Sequence, residues 1–169
     1  MQQLTFQTTV AASLQRVWAF HEDVKSALPA LSPPDAGVRI ESADLPVRPG
    51  SRIVIRVRGP LGVPIRWVAK IVEHRPPVGA GDADAAAFVD EQESGPFAAW
   101  RHEHVFEATG PDATRLTDRV TYCVRFGPLG VLTDRLFVRR QVVEMFRHRH
   151  AVLARLFAPG PAAAVHLPA

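Results

Sequence analysis

Residues 99–125 read AWRHEHVFEATGPDATRLTDRVTYCVR, and the periodicity of this stretch decides the fold. Apolar and polar residues alternate on both sides of Gly110-Pro111, which is the pattern of two half-buried strands joined by a tight reversal. On the first strand Trp100, His102, His104 and Phe106 share one face, and Arg101, Glu103, Val105 and Glu107 share the other. On the second, Leu116, Asp118, Val120 and Tyr122 form one set. The aromatic face of a strand of this kind has to be covered, and two histidines lie in its middle.

Working outward, the same strand signals recur at roughly 37–44, 51–58, 64–75, 87–93, 99–108 and 114–125. The breaks carry Pro49-Gly50, Gly59-Pro60 with Gly62, Gly95-Pro96 and Gly110-Pro111, residues whose backbone preferences reverse a chain, so consecutive antiparallel hairpins are the expected topology. The proline-, glycine- and alanine-rich segment 76–86 reads as a surface loop. Residues 3–9 alternate as a further strand. After them Ser13 is placed to cap a helix whose stripe is Leu14, Val17, Trp18 and His21, ending before the loop marked by Pro29, Pro33 and Pro34.

From Leu132 to Phe157 the period becomes helical, with Leu132, Leu136, Val143, Phe146, His150, Leu153 and Phe157 on or near one stripe; Thr133 or the preceding glycine can start this helix and Pro159-Gly160-Pro161 ends it. The expected architecture is α+β: about seven antiparallel strands in a curved sheet around a long C-terminal helix, with one or two short helices after the first strand. The domain is expected to span 1–158, with 159–169 as a disordered tail. A twisted sheet touches a straight helix along only part of its length, so a cavity between them is a natural outcome.

Composition narrows the classes. Of 169 residues 47% are hydrophobic, enough for one domain with a sizeable core. Twenty basic against seventeen acidic residues leave a net charge of +3, which is too small to argue for nucleic acid. The single cysteine, Cys123, excludes an internal disulfide and a multi-cysteine metal knuckle and fits a reducing, cytoplasmic setting. Neither a leader nor a run of about 18 apolar residues is read, so stable membrane association is not expected.

Several local motifs resemble the START-like helix-grip superfamily, also called SRPBCC, which includes polyketide cyclases, lipid-transfer domains and pollen-allergen-like carriers. They are Val17-Trp18-Ala19-Phe20-His21, Pro33-Pro34, Trp67-Val68-Ala69-Lys70-Ile71, Phe88-Val89-Asp90-Glu91-Gln92, Gly95-Pro96-Phe97, Trp100 to His104, Leu116-Thr117-Asp118 and Gly127-Pro128-Leu129-Gly130. The resemblance spans roughly residues 3–157. It implies a hydrophobic pocket under the C-terminal helix and, in most members, ligand binding without a fixed catalytic set.

On the strand before Ala99, the residues Phe88, Asp90 and Gln92 alternate together, and a hairpin through Gly95-Pro96 brings them toward Trp100 and His102. The candidate ligand contacts are therefore Trp67, Phe88, Asp90, Gln92, Trp100, His102, His104, Phe106, Tyr122 and Phe146. Three readings of the polar members stand open: they orient a ligand, they satisfy one another across the hairpin, or His102 or His104 acts as a general base oriented by Asp90. The first gives a binding module for a lipid, aromatic or polyketide-like molecule. The last gives a cyclase- or dehydrase-like enzyme. A pocketless domain, with Phe146 and Leu153 filling the interior, is a third possibility for the whole chain.

An H-x-H pair can face one ion, with Asp90 or His150 as the remaining candidate ligands, but neither metal nor cofactor is expected from this pattern. Arg147-His148-Arg149-His150 reads as a solvated edge. Arg139 or Arg140 either reaches a carboxylate such as Asp118 or extends to the surface. Arg52, Arg56 and Arg58 read as a solvent face. No nucleophile motif or phosphate loop is present, and the choice between monomer and homodimer stays open.

Overall fold

Alternating burial along Gln2–Val10, the first strand β1, follows from its period-two sequence, which sends Leu4, Phe6 and Thr8 inward. Two short helices follow. Helix α1, Leu14–Glu22, buries the expected stripe of Leu14, Val17, Trp18 and His21. Ser13 precedes it, but its hydroxyl makes no cap bond. Helix α2, Val24–Ala30, starts at Asp23, whose carboxylate accepts the Ser26 N–H at 3.4 Å, and a 3₁₀ turn at Pro34–Ala36 leads into the sheet. The computed structural model describes residues 1–59, 62–78, 85–125, 130, 132 and 134–159. The expected tail from Gly160 onward and most of the Gly127–Gly130 motif lie outside these residues.

The remaining strands are β2 (Arg39–Ala43), β3 (Arg52–Arg58), β4 (Pro64–Arg75), β5 (Ala85–Ser94), β6 (Ala99–Gly110) and β7 (Ala113–Cys123). They form one seven-stranded antiparallel sheet in the order β1-β7-β6-β5-β4-β3-β2, so each hairpin neighbour in sequence is a neighbour in space and β1 closes beside β7. Gly50, at φ +95°, supplies the left-handed residue between β2 and β3. Arg52, Arg56 and Arg58 face solvent, as their alternation requires. The loop expected at 76–86 is shorter than that, because Ala85 and Ala86 already pair in β5, opposite Glu107 and Phe106.

The C-terminal helix departs from expectation. Asp134–Val138 takes a wider π-helical turn, and the regular helix α3 runs only over Arg139–Leu156, about 27 Å at 1.5 Å per residue. The expected stripe holds in the second half of the helix, where Phe146, Leu153 and Phe157 are buried, and fails in the first. Leu136 and Phe137 are 55% and 63% exposed, and the buried stripe of α3 is Val142, Phe146, Arg149 and Leu153. Arg149 thus belongs to the core face and not to a solvated edge. Arg139 and Arg140 both lie outside, where Arg140 pairs with Glu144 at 2.8 Å.

Two apolar clusters occupy the concave side of the sheet. One joins α1 to the far end of β6 and β7 through Trp18, Phe106, Leu116, Leu153 and Phe157. The other joins α3 to the near end through Trp100, Val120, Tyr122, Val142 and Phe146. Along β6 the inward residues run Trp100, His102, His104, Phe106, so the histidine pair sits between the two clusters.

Candidate functional site

The registers of β5, β6 and β7 bring four titratable side chains together, and α3 adds a fifth. Asp90 lies directly across from His102, and Asp118 directly across from His104. Each carboxylate also reaches the diagonal histidine, which cross-strand spacing allows for long side chains. His102 Nε2 donates to Asp118 Oδ1 at 2.9 Å, and His104 Nε2 donates to Asp90 Oδ1 at 3.3 Å. The direct pairs are His104 Nδ1 to Asp118 Oδ1 at 3.1 Å and His102 Nδ1 to Asp90 Oδ1 at 3.6 Å. From α3, His150 Nε2 donates to Asp118 Oδ2 at 2.7 Å. The imidazoles of His102 and His104 lie against each other with centroids 3.7 Å apart, and Phe88 covers the outer face of His104 at 3.9 Å.

Burial and these contacts pull the histidines in opposite directions. Burial alone would lower the His104 pKa, but the bonds to Asp118 and Asp90 outweigh it and hold the group above its ordinary value. His102 goes down to about 4, first by burial and then by the charge on His104. For Asp118, burial alone would push the carboxyl up, yet the N–H groups of His102, His104 and His150 keep it well below the usual range. Asp90 is lowered in the same way, chiefly by His104 against its own burial. His21, whose ring bonds the Val17 carbonyl oxygen at 2.8 Å, is brought to about 4 by burial.

With His102 neutral and its Nε2–H directed at Asp118, the lone pair is on Nδ1. A neutral imidazole oriented by a carboxylate on its other nitrogen is the arrangement of a general base. Asp90, His102 and His104 also offer three donor atoms within 4.8 Å of one another, a two-imidazole, one-carboxylate set of the kind that holds divalent transition ions. Loading it would require His104 to lose its proton and the contacts with Asp90 to give way.

Beside this cluster lies a cavity of about 160 Å³ between the sheet, α2 and α3. Its wall is apolar over Leu28 and Leu31 of α2, Ile53 and Ile55 of β3, and Ala69 and Ile71 of β4, and polar where Asp90, His102, His104 and Arg149 meet it. Phe146 and Leu153 are fully buried, yet they do not fill the interior. Of the residues read from sequence, Trp67, Phe88, Asp90, Trp100, His102, His104 and Phe146 line the cavity.

Gln92, Phe106 and Tyr122 fall outside the cavity wall. Gln92 closes its own hairpin, donating to the Phe97 carbonyl at 2.9 Å and accepting the Phe97 N–H at 3.2 Å. Phe106 packs edge-on against Trp18 and His21 in the first apolar cluster. Tyr122 is wholly buried in the second, its hydroxyl without a hydrogen-bond partner among the described residues.

The architecture now has all its parts: a curved antiparallel sheet, two short helices after the first strand, and a final helix across the concave face with a cavity beneath it. The START superfamily protein from Mycobacterium smegmatis superposes with a TM-score of 0.61 at 16% identity, covering 91% of this chain and 98% of that one. The fold is START-like. The START-like match extends to the protein TTHA0849 from Thermus thermophilus, at TM-score 0.60 and 18% identity over 92% of this chain and 99% of that one. It also extends to the di-domain ARO/CYC StfQ from the steffimycin biosynthetic pathway, at 0.64 and 14% over 92% of this chain and 50% of that one. A family model described as a domain of unknown function, DUF8410, matches residues 82–157. That stretch carries Asp90, His102, His104, Asp118, Arg149 and His150. No curated protein matches the chain.

On this START-like frame, sequence reasoning placed His21 and His150 on helix stripes and Asp118 on one strand face, but it did not make Asp118 the hub and it read Arg149 as part of a solvated edge. Asp118 shares a face with Val120 and Tyr122, and that alternation was the available signal. For Arg149 the signal was its i+3 spacing from Phe146, hidden inside a run of four basic-looking residues. Among the described residues, no helix is long and apolar enough to cross a membrane.

Proposed function

We propose that this chain binds a small, largely apolar molecule, of lipid, aromatic or polyketide-like type, in the cavity between the sheet and α3. One observation carries the reading: a cavity of about 160 Å³ with largely apolar walls and a polar region where Asp90, His102, His104 and Arg149 meet it. A void of about 150 Å³ with apolar walls accepts a benzene ring, so the space suits a compact guest oriented by a few polar atoms. The half-buried single cysteine accords with a cytoplasmic setting, and residues 1–158 are taken as the binding domain.

A second reading, acid-base chemistry of the cyclase or dehydrase kind, is favoured by the His102 side chain, which lines the cavity while Asp118 holds its Nε2 and Asp90 stands 3.6 Å from its Nδ1. The likeness to an aromatase/cyclase chain supports the fold this chemistry would need and says nothing of the reaction.

The test is native purification, solvent extraction and mass spectrometry of the extract, beside Ala69→Phe. A recurrent stoichiometric compound in the wild-type extract supports the carrier reading. Ala69→Phe fills the cavity from β4 and is expected to abolish retention while leaving the melting temperature unchanged or higher. Retention that survives the filled cavity would place the ligand elsewhere and overturn the proposal. If His102→Gln leaves binding intact and no turnover is ever seen, the enzyme reading loses its base.

A further inference from the structure

Arg149 is the charged residue that α3 turns inward. It is 9% exposed, it lines the cavity, and its guanidinium carbon stands 5.2 Å from the centre of the Phe146 ring. Its Nε has no hydrogen-bond partner, and no carboxylate lies within ion-pair distance of it among the described residues. The nearby carboxylates are already engaged. Asp118 holds His102 and His104 on one oxygen and His150 on the other, and Asp90 holds His104.

A buried charge without a partner is strongly unfavourable, and most side chains escape by changing protonation. A histidine such as His102 does so. A guanidinium has no such escape, because arginine does not give up its proton inside proteins. The favourable Phe146 face offsets only part of the lost hydration. The cavity is the space Arg149 borders, so a ligand there is placed to supply the partner its Nε lacks.

We infer that the cavity ligand carries a single carboxylate and that Arg149 binds it. The inference rests on the binding reading above and names the chemical class of its ligand. A planar fork of N–H donors matches a carboxylate in bidentate geometry. A single guanidinium borders the cavity beside Asp90, so one carboxylate is matched by Arg149, whereas a dianionic phosphate ester would set a second negative charge beside that acid. The apolar remainder of the ligand then lies against walls such as Trp67 and Phe88.

The experiment is isothermal titration with two matched pairs of probes, benzoate with benzamide and 2-naphthoate with 2-naphthamide, on the wild type, Arg149→Gln and Arg149→Lys. Each acid is expected to bind the wild type about tenfold or more tightly than its amide, the size of effect usual for a charge-assisted hydrogen bond in a desolvated site. Arg149→Gln should erase the difference while leaving the amide affinity within about twofold, and Arg149→Lys should keep part of it. Acid and amide binding the wild type equally would overturn the inference and leave the cavity reading standing. A preference that survives Arg149→Gln would likewise assign the anion to another group. Failure of all four probes, together with an empty native extract, would remove both. Should Arg149→Gln not fold, the wild-type ratio and Arg149→Lys still decide the matter.

Discussion

His150 Nε2 donates to Asp118 Oδ2 across 2.7 Å, joining the last helix to the seventh strand within the interior. Because the other Asp118 oxygen receives His102 and His104, one carboxylate on β7 supports three histidines from two other elements. Asp118→Asn replaces an acceptor-only group with one that presents N–H to at least one histidine. Breaking a buried charged pair on one side costs several kcal/mol, so a loss of about 3 kcal/mol in urea unfolding is expected. His150→Gln removes one partner and should cost about 1 to 2 kcal/mol. If Asp118→Asn is no worse than His150→Gln, Asp118 is not the hub.

The cluster also sets how stability depends on pH. His21 and His102 are held neutral down to about 4, whereas in the unfolded chain both take up a proton near 6.5. Between those values the unfolded state gains protons that the native state does not, so stability falls with falling pH by at most roughly 1.4 kcal/mol per unit for each histidine. His104 acts with the opposite sign. Its pKa is raised, so its contribution is complete below 6.5 and is lost as pH rises through the folded value. Asp90 and Asp118, both lowered, weaken the fold only below 3.8. Urea unfolding at a series of pH values should therefore show a maximum near 6.5 and an acid limb whose slope His102→Gln roughly halves. A flat profile below 6.5 would mean that the two rings are not buried as neutral groups.

Gln92 offers a control outside the cavity. Its amide makes both bonds to Phe97, and its Oε1 fills the space where a side chain on Gly95 would stand. Gln92→Ala should cost about 1 to 2 kcal/mol in stability and leave ligand retention unchanged. Loss of retention without loss of stability would return Gln92 to the binding wall.

The sequence alone determined the antiparallel sheet, the two-face alternation and the inward direction of His102 and His104, because a period of two leaves each strand only one way to bury Trp100 and Phe106 together. It also determined that α1 buries Trp18 and His21. The sequence reading offered Asp90 as a partner for those histidines; tertiary structure alone decided that Asp118 joins it. Asp90 and Asp118 belong to different strands, and their reach depends on pairing register and on diagonal distances that no local pattern encodes. The final helix was legible as a helix, and its stripe holds at Phe146, His150, Leu153 and Phe157; it fails at Leu136, which lies in the π-helical turn Asp134–Val138 and faces solvent, and it left out Arg149, which faces the cavity. A hydrophobicity pattern assigns arginine to the surface because desolvating its charge is costly; only the packed structure shows where that cost has been accepted.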